Sequence, residues 1–208
     1  MGSKKGLTKI LLVEGKNDQH VIWSLCRKFN IPENFEVIDC KGIEKLIEQI
    51  PVRFKQSGIE TIGVIIDADT DLNSAWQKIR SSFLAQNCPV PENIPSDGFI
   101  CENSGDIKTG AWIMPDNNLN GMIEDFISFL IPEDDSLLPI ADDSLINIEQ
   151  NDLNKYPLSQ KSKAKIHTWL SWQEEPGTPM GLAITKRYLT TNHAVCTKFI
   201  NWLKELFK

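Results

Sequence analysis

The sequence predicts an α/β fold, a mostly parallel central sheet with helices on both faces, followed by a mainly helical C-terminal part. Three observations predict it. Strand and helix patterns alternate over the first seventy or so residues, an order that parallel sheets with crossover helices produce. The run Ile62 to Ile66 is apolar without alternation, as expected of a strand covered on both sides. From residue 131 onward strand patterns cease, and from about Leu145 the apolar spacing is helical. The division expected is an α/β core over 7–130 and a helical extension over 131–208, packed on the core rather than folding independently.

Lys9 to Val13 is the first strand, ending at Glu14-Gly15, where glycine allows a sharp turn and Asn17 or Asp18 can cap the next helix. Val21, Ile22, Leu25 and Phe29 give that helix its buried stripe, and Ile31-Pro32 ends it. Phe35 to Cys40 is a second strand. Ile43, Leu46, Ile47 and Ile50 mark a helix running through Pro51 to about Gln56. The central strand from Ile62 then ends in IIDADTD, with Asp67, Asp69 and Asp71 spaced two apart. Two carboxylates at roughly 4 Å repel by about 4 kcal/mol at an effective dielectric near 20, so such a cluster usually recruits a cation or a proton. A solvated turn closing a buried strand is the competing reading of the same residues.

A helix with Trp76, Ile79 and Phe83 follows, its start offering Asn73 and Ser74 as caps. Phe99–Cys101 and Ala111–Met114 read as an antiparallel pair around a loop at 102–110, which lacks the glycine and lysine spacing of a nucleotide P-loop. Asp116, Glu124 and Asp125 bring further acid after this pair, with a helix through Met122, Ile123, Phe126 and Leu130. The stretch 131–144, acidic and interrupted by proline, reads as a connecting loop. Helices are expected over Leu145–Leu153, around Ile166, Trp169 and Leu170, around Ala183–Tyr188, and from about Val195 to Phe207.

Strand ends decide where chemistry can occur. In a parallel sheet the C-terminal strand edges form the ligand crevice, so Glu14 after the first strand and Asp67 after the third are expected on one edge. Alone, Glu14 would be an ordinary helix-start carboxylate; the shared edge turns it into a candidate site residue. Lys16 could neutralise a phosphate there, or be a solvated helix-start lysine. The lysines 161, 163 and 165 have the same two readings.

Composition narrows the class. The 208 residues carry 22 basic and 28 acidic side chains, a formal charge of -6, which opposes non-specific attraction to a nucleic-acid backbone while leaving local basic grooves open. The five cysteines form no CxxC pair, and His20, His167 and His193 have no zinc-ligand spacing. No secretion signal and no 18-residue apolar span is present, so a cytoplasmic protein with no membrane segment is expected. Met1-Gly2-Ser3 reads as an expression remnant.

LLVEG at Leu11–Gly15 together with IIDADTD at Ile65–Asp71 resembles the Toprim domain of topoisomerases, bacterial primases, small RNA-maturing nucleases and the overcoming-lysogenization-defect nucleases. Within that superfamily the strings MPDNNLNGMIEDF and PGTPMGLAI are similar to the small stand-alone Toprim-like proteins grouped as DUF3226. The resemblance implies a Toprim-like Rossmannoid core and Mg2+- or Mn2+-dependent hydrolysis of phosphodiester bonds in DNA or RNA. It implies Glu14 as catalytic base or proton carrier, Asp67 and Asp69 as metal-holding catalytic residues, Asp71 as a further ligand, and Glu124 completing a second metal position, with Asp116 or Asp125 as substitutes. No topoisomerase tyrosine domain, primase zinc domain or ATPase domain accompanies it. Two other functions fit the same residues: a non-catalytic module that binds nucleic acid, a protein partner or a second copy of itself, and phosphoryl transfer on a small nucleotide.

Overall fold

In the computed structural model, which describes residues 7–102 and 107–208, the chain forms a sheet of five strands in the order β2-β1-β3-β5-β4. The Met1-Gly2-Ser3 opening and the centre of the 102–110 loop lie outside the described residues. The strands are β1 (Lys9–Val13), β2 (Glu36–Asp39), β3 (Thr61–Asp67), β4 (Phe99–Cys101) and β5 (Lys108–Met114). All neighbours are parallel except β4, which runs antiparallel to β5 with Ile100 opposite Gly110. The fold class and the edge hairpin therefore follow the sequence pattern, with β5 beginning earlier than Ala111.

Helices are α1 (Lys16–Lys28), α2 (Ile43–Phe54), α3 (Leu72–Leu84), α4 (Ile123–Ser128), α5 (Leu137–Gln150), α6 (Lys161–Ser171), α7 (Met180–Thr185) and α8 (Ala194–Leu206). Strand alternation sorts them into two layers. Ile10, Leu12, Ile62, Val64 and Ile66 face α2 and α3, meeting Leu46, Ile50, Trp76, Ile79 and Phe83. Leu11, Val13, Ile65, Trp112 and Met114 face the other way, into a larger core with Val21, Phe126, Trp169, Ala183, Phe199 and Leu203. Burying such side chains contributes roughly 1.5–3 kcal/mol each, so α1 and the C-terminal helices share one apolar core with the sheet.

Seating α8 requires small residues beneath it. Gly63 on β3 lies opposite Gly110 on β5, and a Cβ at either would come within 2.8 Å of a Leu206 methyl. The paired glycines open a trough that Leu206 fills. Lys9 Nζ and Asn34 Nδ2 donate to the Phe207 carbonyl at 3.3 and 3.0 Å, and Lys108 Nζ donates to that of Glu205 at 2.7 Å. Carbonyls left without partners at a helix end are satisfied this way.

Two local expectations are corrected. The 131–144 stretch is not all loop, because α5 starts at Leu137. Pro139 stands in its first turn, where no helix hydrogen bond is lost, and Asp135 Oδ1 accepts from the N–H groups of Leu137 and Leu138 at 3.0 and 2.7 Å. Helix α1 has Gly15 at its N-cap with no side-chain cap, so neither Asn17 nor Asp18 caps it. Among the described residues no helix is long and apolar enough to cross a membrane.

Candidate active site

From β1 the chain passes to β2 on one side, and from β3 it passes to β4 and back to β5 on the other, placing the topological switch point between β1 and β3. Crevices of α/β sheets open there, at the C-terminal strand ends. Glu14 follows β1 and Asp67 ends β3, so both flank the crevice. Glu14 Oε1 accepts a hydrogen bond from the Asp67 backbone N–H at 2.8 Å.

The loop after β3 is held in a fixed shape. Asp69 takes a left-handed conformation, φ +50, which aspartate tolerates better than most side chains, and its N–H donates to the Gly121 carbonyl at 2.8 Å. Asn120 spans the same two loops: its Nδ2 donates to the Thr70 carbonyl at 2.7 Å and its Oδ1 accepts from Leu72 N–H at 2.9 Å. The loop before α4 is thereby latched to the loop after β3. Asp67 Oδ1 accepts from Ile123 N–H at 2.9 Å, which draws α4, and with it Glu124, to the crevice.

The result is a cleft of about 430 Å³ whose walls include Glu14, Lys16, Asp18, Asp67, Asp69, Glu124 and Lys163. Of the residues expected from sequence, it brings together Glu14, Asp67, Asp69, Glu124 and Lys16. Asp71 lies in an adjoining recess with Glu14, Asp67 and Asp69, and its Oδ1 accepts from Ser74 N–H at 3.0 Å, so it is the cap of α3 in place of Asn73 or Ser74. Asp125 lines a groove beyond Asp69. Its Oδ2 accepts from Met122 N–H at 2.8 Å and its Oδ1 from Ser162 Oγ at 2.6 Å. Asp116 stands outside the cleft lining, with its Oδ1 accepting from Asn118 and Leu119 N–H at 3.0 and 2.8 Å.

Asp18 is the residue that sequence reasoning assigned to the wrong role. It is 5 % exposed, and its Oδ1 has no hydrogen-bond partner. A signal was present in the sequence. Once α1 starts at Lys16, Asp18 sits on the first turn immediately above the strand end, where Glu14 already stands.

Burial governs the charge state of these groups. It pushes the Glu14 carboxyl up to about 7, against the Asp67 hydrogen bond, with the charges of Asp18 and Asp69 adding to the rise. It pushes Asp18 up to about 6, helped by Glu124. Asp67 is raised well above the carboxylate range by burial and then by the negative charges of Asp18, Glu14, Glu124 and Asp69. Glu124 is raised by burial, while Lys163 and His167 pull it down. Desolvation disfavours the ionised form, and neighbouring like charges disfavour it further. Such clustering of perturbed acids in a cleft makes them candidates for a functional site.

Among the described residues no three or more His, Cys, Asp and Glu side chains stand ready-made around a metal position. Mg2+ does not require them to. It retains several waters and is held through one or two carboxylates together with substrate phosphates. The all-oxygen donor set and the unpartnered, buried Asp18 Oδ1 fit that ion. Burial pushes the Cys26, Cys40 and Cys196 thiols up to about 11, which disfavours these three as thiolate ligands.

No curated protein and no solved structure matches the chain. The model of the family described as "Protein of unknown function (DUF3226)" matches residues 8–208, and the chain therefore belongs to the DUF3226 family.

Proposed function

We propose that this DUF3226 protein is a Toprim-type, Mg2+-dependent phosphodiesterase acting on DNA or RNA at the cleft between β1, β3 and α4. The observation that carries the reading is the convergence of Glu14, Asp18, Asp67 and Glu124 on one crevice, with Asp18 Oδ1 buried and unpartnered. Repulsion among these acids is relieved by a cation, and each raised carboxyl is poised to respond to one.

Asp67 and Asp69 would hold Mg2+ or Mn2+, with Asp18 and Glu124 beside them. When bound, such an ion supplies Lewis-acid charge against a substrate phosphate. The chain's own residues do the rest. Glu14 engages Asp67 N–H through Oε1 and is left with Oε2 to take up or release a proton, for which a pKa of about 7 is suited at neutral pH. Lys16 and Lys163, the cations of the cleft wall, bind phosphate oxygens. Asp71, Asp116 and Asp125 stabilise a helix start or a turn.

Calorimetric titration with Mn2+ at pH 8 tests the reading. Wild-type protein is expected to bind, and Asp67→Asn and Asp18→Asn to weaken binding by about tenfold or more. Undiminished affinity in both variants would overturn it. A second reading, a module that binds nucleic acid or protein without turnover, rests on Lys16 and Lys163 in the cleft wall, which can hold a phosphate or an acidic group with no chemistry. It predicts retention of nucleic acid with no Mn2+-dependent cleavage.

A further inference from the structure

The carboxylate cleft continues past Asp69. Asp69 and Gln160 belong both to the cleft and to a second groove of about 630 Å³, within the size range of a small-molecule site. Charge separates the two spaces. The cleft wall carries Lys16 and Lys163. The groove is lined by Asp69 and Asp125, with no cation among its described residues, and by the neutral groups of Thr70, Asn120, Ser159 and Gln160. The Asp125 charge is fixed in place, since both of its oxygens accept hydrogen bonds from Met122 and Ser162.

These linings favour different parts of a nucleotide. With the ion held at Asp67 and Asp69, a phosphate farther along the groove would lie against the fixed Asp125 carboxylate with no cation among the described lining residues, whereas hydroxyl and amide groups match sugar hydroxyls and base edges. A strand running through both spaces would have to place a second phosphate beside Asp125, beyond the ion. A strand that ends in the groove would not. The neighbouring cleft has its own mark of a ligand in the buried, unpartnered Asp18 Oδ1.

We propose that the groove receives the uncharged terminal nucleoside of a nucleic-acid strand, so that hydrolysis is directed to strand ends; this rests on the phosphodiesterase reading. Water adds at the phosphorus held in the cleft, one P–O ester bond breaks, and the departing sugar oxygen takes up a proton while the phosphate keeps the hydroxyl. Ser159 and Gln160, just before α6, would then contact the terminal residue, making the C-terminal part of the chain the source of end recognition.

Single strands of one sequence test this with the full chain and Mn2+: a linear strand with hydroxyl at both ends, the same strand with phosphate at both ends, and a covalently closed circle. Bis(4-nitrophenyl) phosphate serves as a small diester independent of strand ends. The hydroxyl-ended strand is expected to be cut about tenfold faster than the other two, and Ser159→Lys, which adds a cation to the groove at an exposed position, to narrow that gap. Cleavage of the circle at the linear rate, indifference to terminal phosphate, or hydrolysis of the small diester with no strand cut would overturn end recognition alone. No hydrolysis of any substrate, the small diester included, would overturn the phosphodiesterase reading and end recognition with it.

Discussion

Glu14 Oε1 and the backbone N–H of Asp67 meet at 2.8 Å, joining the ends of two adjacent parallel strands across 53 residues of sequence. The bond fixes the Glu14 carboxyl at the mouth of the crevice, while burial keeps its proton affinity high.

Stability without metal should fall between pH 5 and pH 8. Glu14 rises from 4.5 to about 7 and Asp18 from 3.8 to about 6. The folded state thus holds protons that the unfolded chain has released, and their stabilising contribution is complete below about pH 4 and lost as pH climbs through 6 and 7. The Glu14 shift alone corresponds to about 3 kcal/mol. Urea unfolding in EDTA at the two pH values measures this, and adding Mg2+ should restore stability at pH 8 more than at pH 5.

Asn120 is the latch between the loop after β3 and the loop before α4. Asn120→Ala removes two hydrogen bonds at an exposed position and should lower stability by about 1 kcal/mol. Its larger effect is expected on Mn2+ affinity, weakened by about tenfold, because Asp69 loses its fixed backbone geometry. Thermal unfolding and calorimetry on one preparation separate the two effects.

The trough under α8 predicts a coupling. A Cβ at Gly63 would stand 2.7 Å from a Leu11 methyl and 2.8 Å from one of Leu206. Gly63→Ala should cost about 1–3 kcal/mol through overpacking, and Leu206→Ala about 2–5 kcal/mol through the void it leaves. The double variant should cost less than the two together, since each change relieves the other. Chemical denaturation of all four proteins provides the cycle.

Much of the frame was legible because apolar period and strand ends are local signals. The runs KILLV and TIGVIID and the carboxylates that follow them place Glu14 and Asp67 without reference to any contact. The approach of Glu124 was partly legible, but what draws it in is Asp67 accepting from Ile123 N–H, a contact across 56 residues that no local pattern carries. Asp18 was hidden by its type: aspartate near a helix start ordinarily caps it, and only the placement of α1 from Lys16 turns it inward. Helix α5 was obscured by Pro139, which a first helical turn accommodates. The groove beyond Asp69 was not legible, since its walls come from loops near residues 70 and 120 and from the start of α6.

Metal-dependent phosphodiester hydrolysis at the Glu14–Asp67 cleft is tested most directly by cleavage of end-labelled single-stranded DNA and RNA with Mg2+, Mn2+ or EDTA by wild type, Glu14→Gln and Asp67→Asn. The expected result is cleavage by wild type only when the ion is present, with both variants folded and slower by a factor of about a hundred or more. Cleavage that persists in EDTA, or variants that cut at the wild-type rate, would contradict it.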